Sequence, residues 1–141
     1  NNIYCFDSVS KQSALLSNGF HSICNGAIDD IWPKMAKGTQ LLAQCLLDSA
    51  RVSERDFLTL LGDRTKPSIE LLPDTGIAPE LEAELSSIFV QMPSYGTRSS
   101  TILLRGNDGN STIFEYQFTP QGMLHTTQKF TLENGQLQRH S

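Results

Sequence analysis

The sequence is poor in several things at once. Only 18% of its 141 residues are charged, and it has three cysteines and one tryptophan. No apolar run approaches the ~20 residues that a helix needs to cross a bilayer, and no basic-then-apolar leader opens the chain. A net charge of −4 is the wrong sign for the basic footprint of a nucleic-acid binder. There is no Cys-x-x-Cys pair, His-Glu-x-x-His, EF-hand loop, Cys-x-x-Cys-His haem attachment or glycine-rich phosphate loop. The histidines are His21, His125 and His140. His21 and Cys24 fall three apart on an expected strand, which sends them to opposite faces and argues against a zinc site. Packing is the ordinary role of a lone strand His or Cys, and it stands against either as a non-covalent axial haem ligand. Cys5, Cys24 and Cys45, odd in number and irregularly spaced, make a poor disulfide framework and suit a reducing, cytoplasmic compartment as buried small hydrophobes.

What is present is enough for a core. Hydrophobic residues are 38% of the chain, and a domain of this length buries roughly 68% of its unfolded surface. Residues 1–141 read as one domain. The chain opens Asn1-Asn2-Ile3-Tyr4 without an initiator Met and runs straight into a strand pattern. The expectation is that it is the carboxyl-terminal part of a longer protein.

Three zones follow along the chain. In the first, Ile3–Phe6 and Ala14–Ser17 read as short strands. Asn18-Gly19 is a strong hairpin signal, with Phe20–Cys24 returning and Asn25-Gly26 bending the chain. The second zone is helical. Pro33 suits the first turn of a helix whose Met35, Leu42 and Leu46 share a face. Ser53 with Asp56 forms a capping-box pattern for a second helix that ends at Gly62. Residues 63–78 read as a surface loop. A third helix starts near Pro79, and Ile88-Phe89-Val90 is open to reading as a strand. The third zone is a β-meander: Thr101–Leu104, a turn at Gly106–Asn110, and alternation at Phe114, Tyr116 and Phe118. A turn at Pro120–Gly122, a strand at Gln128–Leu132 and a tight turn at Asn134-Gly135 complete it. The class is α+β, with helices over one face of antiparallel sheets. Nothing in the chain remains to cover the other face.

Two stretches carry candidate chemistry. In Ile23–Lys34, Asn25 closes a strand before a helix start. Its amide can donate to a developing oxyanion, or simply cap the turn. Trp32 either covers the helix start or contacts a substrate. In Tyr95–Thr101, Arg98 is a permanent cation beside an apolar run. It either reaches solvent or needs a carboxylate, for which Asp7, Asp29 and Asp30 are candidates in space. Thr97, Ser99, Ser100 and Thr101 form a dense hydroxyl cluster.

These stretches, in this order, resemble the Transport and Golgi organisation 2 family, also called NRDE proteins. The family pattern Leu-Ser-Asn-Ala-Leu-Leu-Asp-Thr-Pro-Trp-Pro-Lys stands here as Ile23–Lys34, with Gly26 and the loss of Thr-Pro before Trp32 as departures. Leu72–Gly76 reads Leu-Pro-Asp-Thr-Gly, Ser86–Val90 reads Ser-Ser-Ile-Phe-Val, and Tyr95–Thr101 reads Tyr-Gly-Thr-Arg-Ser-Ser-Thr. The family's opening Met-Cys and its Asn-Arg-Asp-Glu motif are not in this chain. The resemblance implies part of an N-terminal-nucleophile hydrolase-like αββα sandwich, similar to the choloylglycine hydrolase group, with the Cys nucleophile lying before Asn1. By similarity, Asn25 and Arg98 support that nucleophile and the oxyanion, and Trp32, Thr97 and Ser99 are binding residues. The resemblance further implies cytosolic handling of haem or of lipid and acyl ligands. It leaves amidohydrolysis of non-peptide C–N bonds in an intact protein as the alternative. The partners it implies are such a small molecule, with haem non-covalent if bound, and the amino-terminal half of the same protein.

Overall fold

The structure, a computed structural model, describes residues 2–24, 28–29, 32–48 and 52–140. Strands β1 (Tyr4–Asp7) and β2 (Gln12–Leu15) form a two-stranded antiparallel sheet. Helices α1 (Pro33–Asp48), α2 (Glu54–Leu61) and α3 (Pro79–Leu85) follow, with one 3-10 turn at Ile69–Leu71. Strands β3 (Ser99–Arg105), β4 (Ser111–Phe118), β5 (Leu124–Glu133) and β6 (Gln136–His140) pair in chain order as a four-stranded antiparallel meander. The chain is therefore α+β.

The first hairpin does not turn at Asn18-Gly19. It turns one strand earlier, because the Asp7 carboxylate accepts the Val9 N–H at 2.8 Å and the Ser10 hydroxyl at 2.5 Å. Asp side chains close turns in this way, and Lys11 takes the left-handed conformation that completes the bend, with φ 59°. Residues 20–24 form no strand. Their polar groups bond to Asp29 instead of to a neighbouring strand. Ile88–Val90 is not a strand either: the Phe89 N–H donates to the Asp63 carbonyl, and Val90 closes a small loop with Thr97.

The helices begin where local chemistry allows. Pro33 opens α1, and the Trp32 carbonyl accepts the N–H groups of Met35 and Ala36, each at 2.9 Å. At α2 the Ser53 N–H donates to the Asp56 carboxylate at 2.8 Å and the Ser53 hydroxyl does so at 2.9 Å, which satisfies a donor the helix leaves free. Gly62 ends α2 by donating to the Leu58 carbonyl. The Lys37 ammonium pairs with Asp63, fastening α1 to the end of α2.

Strand alternation gives the meander two unlike faces. Ser100, Ile102, Phe114 and Tyr116 share one face through the β3–β4 register. Ser100, Ile102 and Tyr116 are buried there under the helices. The opposite face carries Thr101, Leu103, Ile113, Glu115, Phe130, Leu132 and Leu137 in matched rows across all four strands. Leu103 and Leu137 are each 61% exposed, whereas Ser111 on the same face is buried and Ile113 and Phe130 are half-buried, so this face is open chiefly along its two edge strands.

Candidate functional site

Between α1, α2 and the start of β3 lies a cavity of about 490 Å³. Leu42 of α1, Phe57 and Leu60 of α2, Ile88, Val90 and Ile102 supply its apolar walls. The remaining wall is the irregular segment 21–24, held by one side chain. Asp29 accepts His21 Nδ1 at 2.7 Å on one carboxylate oxygen and the Ser22 N–H at 2.8 Å on the other. His21 Nε2 lies 3.0 Å from the Ser17 carbonyl. Both ring nitrogens thus face acceptors, an arrangement that only the imidazolium satisfies fully. The Asp29 carboxylate, and after it the Ser17 carbonyl, push the His21 pKa up. His21 in turn, with the Ser22 N–H behind it, holds the Asp29 carboxyl below the usual carboxylate range. Asp29 sits at φ 58°, a conformation that Asp tolerates better than most residues.

Cys24 and Met35 meet on the same cavity wall with their sulfurs 3.1 Å apart. His21 and Cys24, expected on opposite faces of a strand, line one cavity because no strand forms there. Lys34 also lines it. Its ammonium donates to the Leu85 carbonyl at 3.1 Å, against the last turn of α3 where a cation is favoured, and sits 5.7 Å from the Trp32 ring. The cavity therefore combines apolar walls with two basic side chains, His21 paired with Asp29 and Lys34 held on the Leu85 carbonyl.

The residues assigned to the site from the sequence are placed as follows. Asn25 and Asp30 fall outside the described residues. Trp32 is half-buried, caps α1 with its carbonyl and packs near Lys34. Thr97 accepts the Val90 N–H on its hydroxyl at 3.0 Å and returns its own N–H to the Val90 carbonyl at 2.9 Å. Arg98 is exposed and lines a separate groove of about 220 Å³ with Tyr95, Gly96 and Pro120. Its proposed partners are spent: Asp7 on its own turn, Asp29 on His21. Ser99 is exposed at the start of β3, opposite Gln117. Trp32, Thr97, Arg98 and Ser99 do not border the large cavity. The residues missed from the sequence are Lys34 and the His21–Asp29 pair. Lys34 had a signal in its place directly after Pro33, at the start of a helix with an apolar face, whereas a pairing across eight residues leaves none.

Among the described residues no three His, Cys, Asp or Glu side chains gather where they could hold a metal ion. Cys5, Cys24 and Cys45 are free. Burial pushes the Cys45 thiol up, with Asp56 adding to it, away from the thiolate that nucleophilic chemistry needs. No described helix is long and apolar enough to cross a membrane.

The fold and site define an α+β protein with one helix-covered sheet face and an apolar cavity on that side. The sequence model of the family Transport and Golgi organisation 2 matches residues 1–120, and the chain belongs to that family. It is similar to the Transport and Golgi organization protein 2 homolog of Homo sapiens, 25% identical over 130 residues, covering 85% of this chain and 47% of the human protein. The homolog of Bos taurus is 27% identical over 136 residues, covering 88% and 49%. That of Mus musculus is 25% identical over 135 residues, covering 85% and 47%. The chain spans about half the length of these curated relatives.

Proposed function

We propose that the chain binds an apolar ligand with an anionic end, of the acyl or lipid type, in the cavity between α1, α2 and β3, and acts in handling such ligands in the cytoplasm. The observation that carries this is the pairing of apolar walls with the Lys34 ammonium in a cavity of about 490 Å³, within the range of small-molecule sites. The donor set favours an acyl ligand over haem. Both His21 nitrogens are engaged, and Met35 is buried with its sulfur against Cys24. An axial bond to iron from either His21 or Met35 would displace an existing contact. The three free thiols support a reducing compartment.

The test is a titration of the protein with a fluorescent fatty acid and, separately, with haemin followed by its Soret band. Saturable fatty-acid binding is expected, weakened at least tenfold by Leu42→Trp, which fills the cavity, and more modestly by Lys34→Gln. Circular dichroism checks that both variants stay folded. Haemin binding without fatty-acid binding would reverse the ligand assignment, and binding of neither would overturn the proposal.

A further inference from the structure

The irregular segment 87–90 has a second groove on its other side. Ile88 and Val90 line the cavity between α1, α2 and β3, Phe89 lines a separate groove of about 450 Å³, and Ser87 borders both. The groove runs between Arg64 and Lys66 after α2, the Gln91–Pro93 stretch, and Pro120 and Gln121 in the β4–β5 turn. Two of its lining residues, Arg64 and Lys66, are cations and none is an acid. In a chain with a net charge of −4, a concave surface with two cations and no carboxylate runs against the overall charge and concentrates anions.

Arg64 is held in position before any ligand arrives. Its guanidinium lies 4.7 Å over the ring of buried Phe89, and Nη2 donates to the Gly122 carbonyl at 2.8 Å. This approach depends on a glycine. Gly122 has φ 70°, and a Cβ there would lie 2.9 Å from Gln91 Oε1 and 3.2 Å from Arg64 Nη2. Gln91 fastens the same turn, its Nε2 donating to the Gln121 carbonyl at 2.7 Å. A guanidinium has several N–H donors in a planar fork, and among the described residues only the Gly122 carbonyl takes one from Arg64. The rest of the fork matches a carboxylate or a phosphate. A cation fixed in advance lowers the ordering cost of binding. Lys66 is exposed at the rim and shared with Glu84 at 2.7 Å, so it adds a weaker, screened charge.

We infer that this groove is a second ligand site, which takes a small organic anion by its phosphate or carboxylate group. The oxyanion sits on the free part of the Arg64 fork, with Lys66 adding charge from the rim. The groove has room for more than an oxyanion, and Met92, Pro93 and Pro120 give the organic body an apolar surface to lie against. The site shares only Ser87 with the lining of the large cavity, and it stands or falls apart from acyl binding there.

Titration of the isotope-labelled protein with phenyl phosphate and, separately, with benzoate tests this by NMR, since the two probes share one body and differ in the oxyanion. Saturable shifts centred on the Arg64 side chain, Phe89, the Gln91 side-chain amide and Gln121–Gly122 are expected, and the tighter probe identifies the oxyanion. Arg64→Gln is expected to weaken binding about tenfold. Arg64→Lys, which keeps the charge without the fork, weakens it about fivefold and carries the test where the glutamine variant does not fold. Arg55→Gln, on exposed α2 surface away from the groove, leaves it unchanged. Absence of saturation with both probes, shifts spread evenly over the basic residues, or unchanged affinity in Arg64→Lys overturns the inference. Shifts confined to Leu42 and Leu60 overturn it too, while supporting the large cavity as the anion's site.

Discussion

Replacing Phe89 with alanine removes the bulkiest side chain that is almost wholly enclosed among the described residues, with 2% of its surface exposed. Its ring meets Phe118 edge-on, with centroids 4.8 Å apart and planes at 89°, and carries the Arg64 guanidinium 4.7 Å above it. Its backbone is fixed as well, the N–H to the Asp63 carbonyl and the carbonyl to the Ser87 hydroxyl, each at 2.8 Å. Phe89 therefore joins the end of α2, the irregular 87–90 segment and β4. Phe→Ala at such a site costs about 3–5 kcal/mol. The aromatic pair accounts for about 0.5–1.5 kcal/mol of this and the cation over the ring for about 0.5–1 kcal/mol. Leucine keeps most of the apolar burial and loses only those two contributions, so Phe89→Leu costs about 1–2.5 kcal/mol. With a urea slope of ~2 kcal/mol/M, the alanine variant lowers the unfolding midpoint by about 2 M and the leucine variant by about 1 M. Where the alanine variant does not fold, a cycle of Phe89→Leu with Phe118→Leu still isolates the ring pair, with an expected coupling of about 0.5–1.5 kcal/mol. A midpoint shift below about 0.5 M for alanine, or equal shifts for alanine and leucine, would refute the reasoning.

The His21–Asp29 pair makes stability depend on pH in a defined direction. His21 is raised above the ~6.5 of a free histidine, so its contribution is complete below that value and disappears as pH rises through the higher folded pKa. Asp29 is depressed, so its share is present above the usual carboxylate range and is lost as pH falls through its lower folded pKa. An NMR titration of the His21 ring is expected to show a midpoint above 6.5, with residues 17–29 becoming more protease-sensitive above it; a midpoint at or below 6.5 contradicts the geometry. Separately, Gly96→Ala places a Cβ 2.8 Å from the Val90 carbonyl oxygen. It should cost about 1–3 kcal/mol in the same urea assay, and a change within about 0.5 kcal/mol would show that the 90–97 loop can give way.

Much of the fold was legible because the signals were local. Pro33, the Ser53–Asp56 pair, Gly62 and Pro79 mark helix ends by chemistry that needs no tertiary partner. The meander follows from alternation and from turns such as Asn134-Gly135, both at positive φ. The first hairpin was misplaced because Asn18-Gly19 is as good a turn by composition as 7–11, and the deciding contact, Asp7 on Val9 and Ser10, carries no stronger compositional signal. Site legibility was poorer because its contacts join residues far apart in the chain. The cavity depends on His21 reaching Asp29, on Lys34 reaching the Leu85 carbonyl and on Cys24 meeting Met35, none of which has a fixed spacing to search for.

The Tyr95–Thr101 stretch shows how one motif can serve two sides of a sheet. Gly96 and Thr97 belong to the helix side: a Cβ at Gly96 would press on the Val90 carbonyl, and Thr97 holds both backbone groups of Val90. From Ser99 onward the strand alternates. Ser100 is buried beside Tyr116 under the helices, while Ser99 and Thr101 turn to the open face. A run of small hydroxyl residues satisfies both demands. Each is small enough to lie under a packed helix and polar enough to face solvent. Arg98 stands at the point where the loop becomes strand, its carbonyl accepting the Phe118 N–H at 2.9 Å while its side chain stays exposed. Its backbone is thus fixed by the helix-covered layer whether or not its guanidinium meets a partner. The motif is therefore explained as a structural seam between the 90–97 loop and the start of β3.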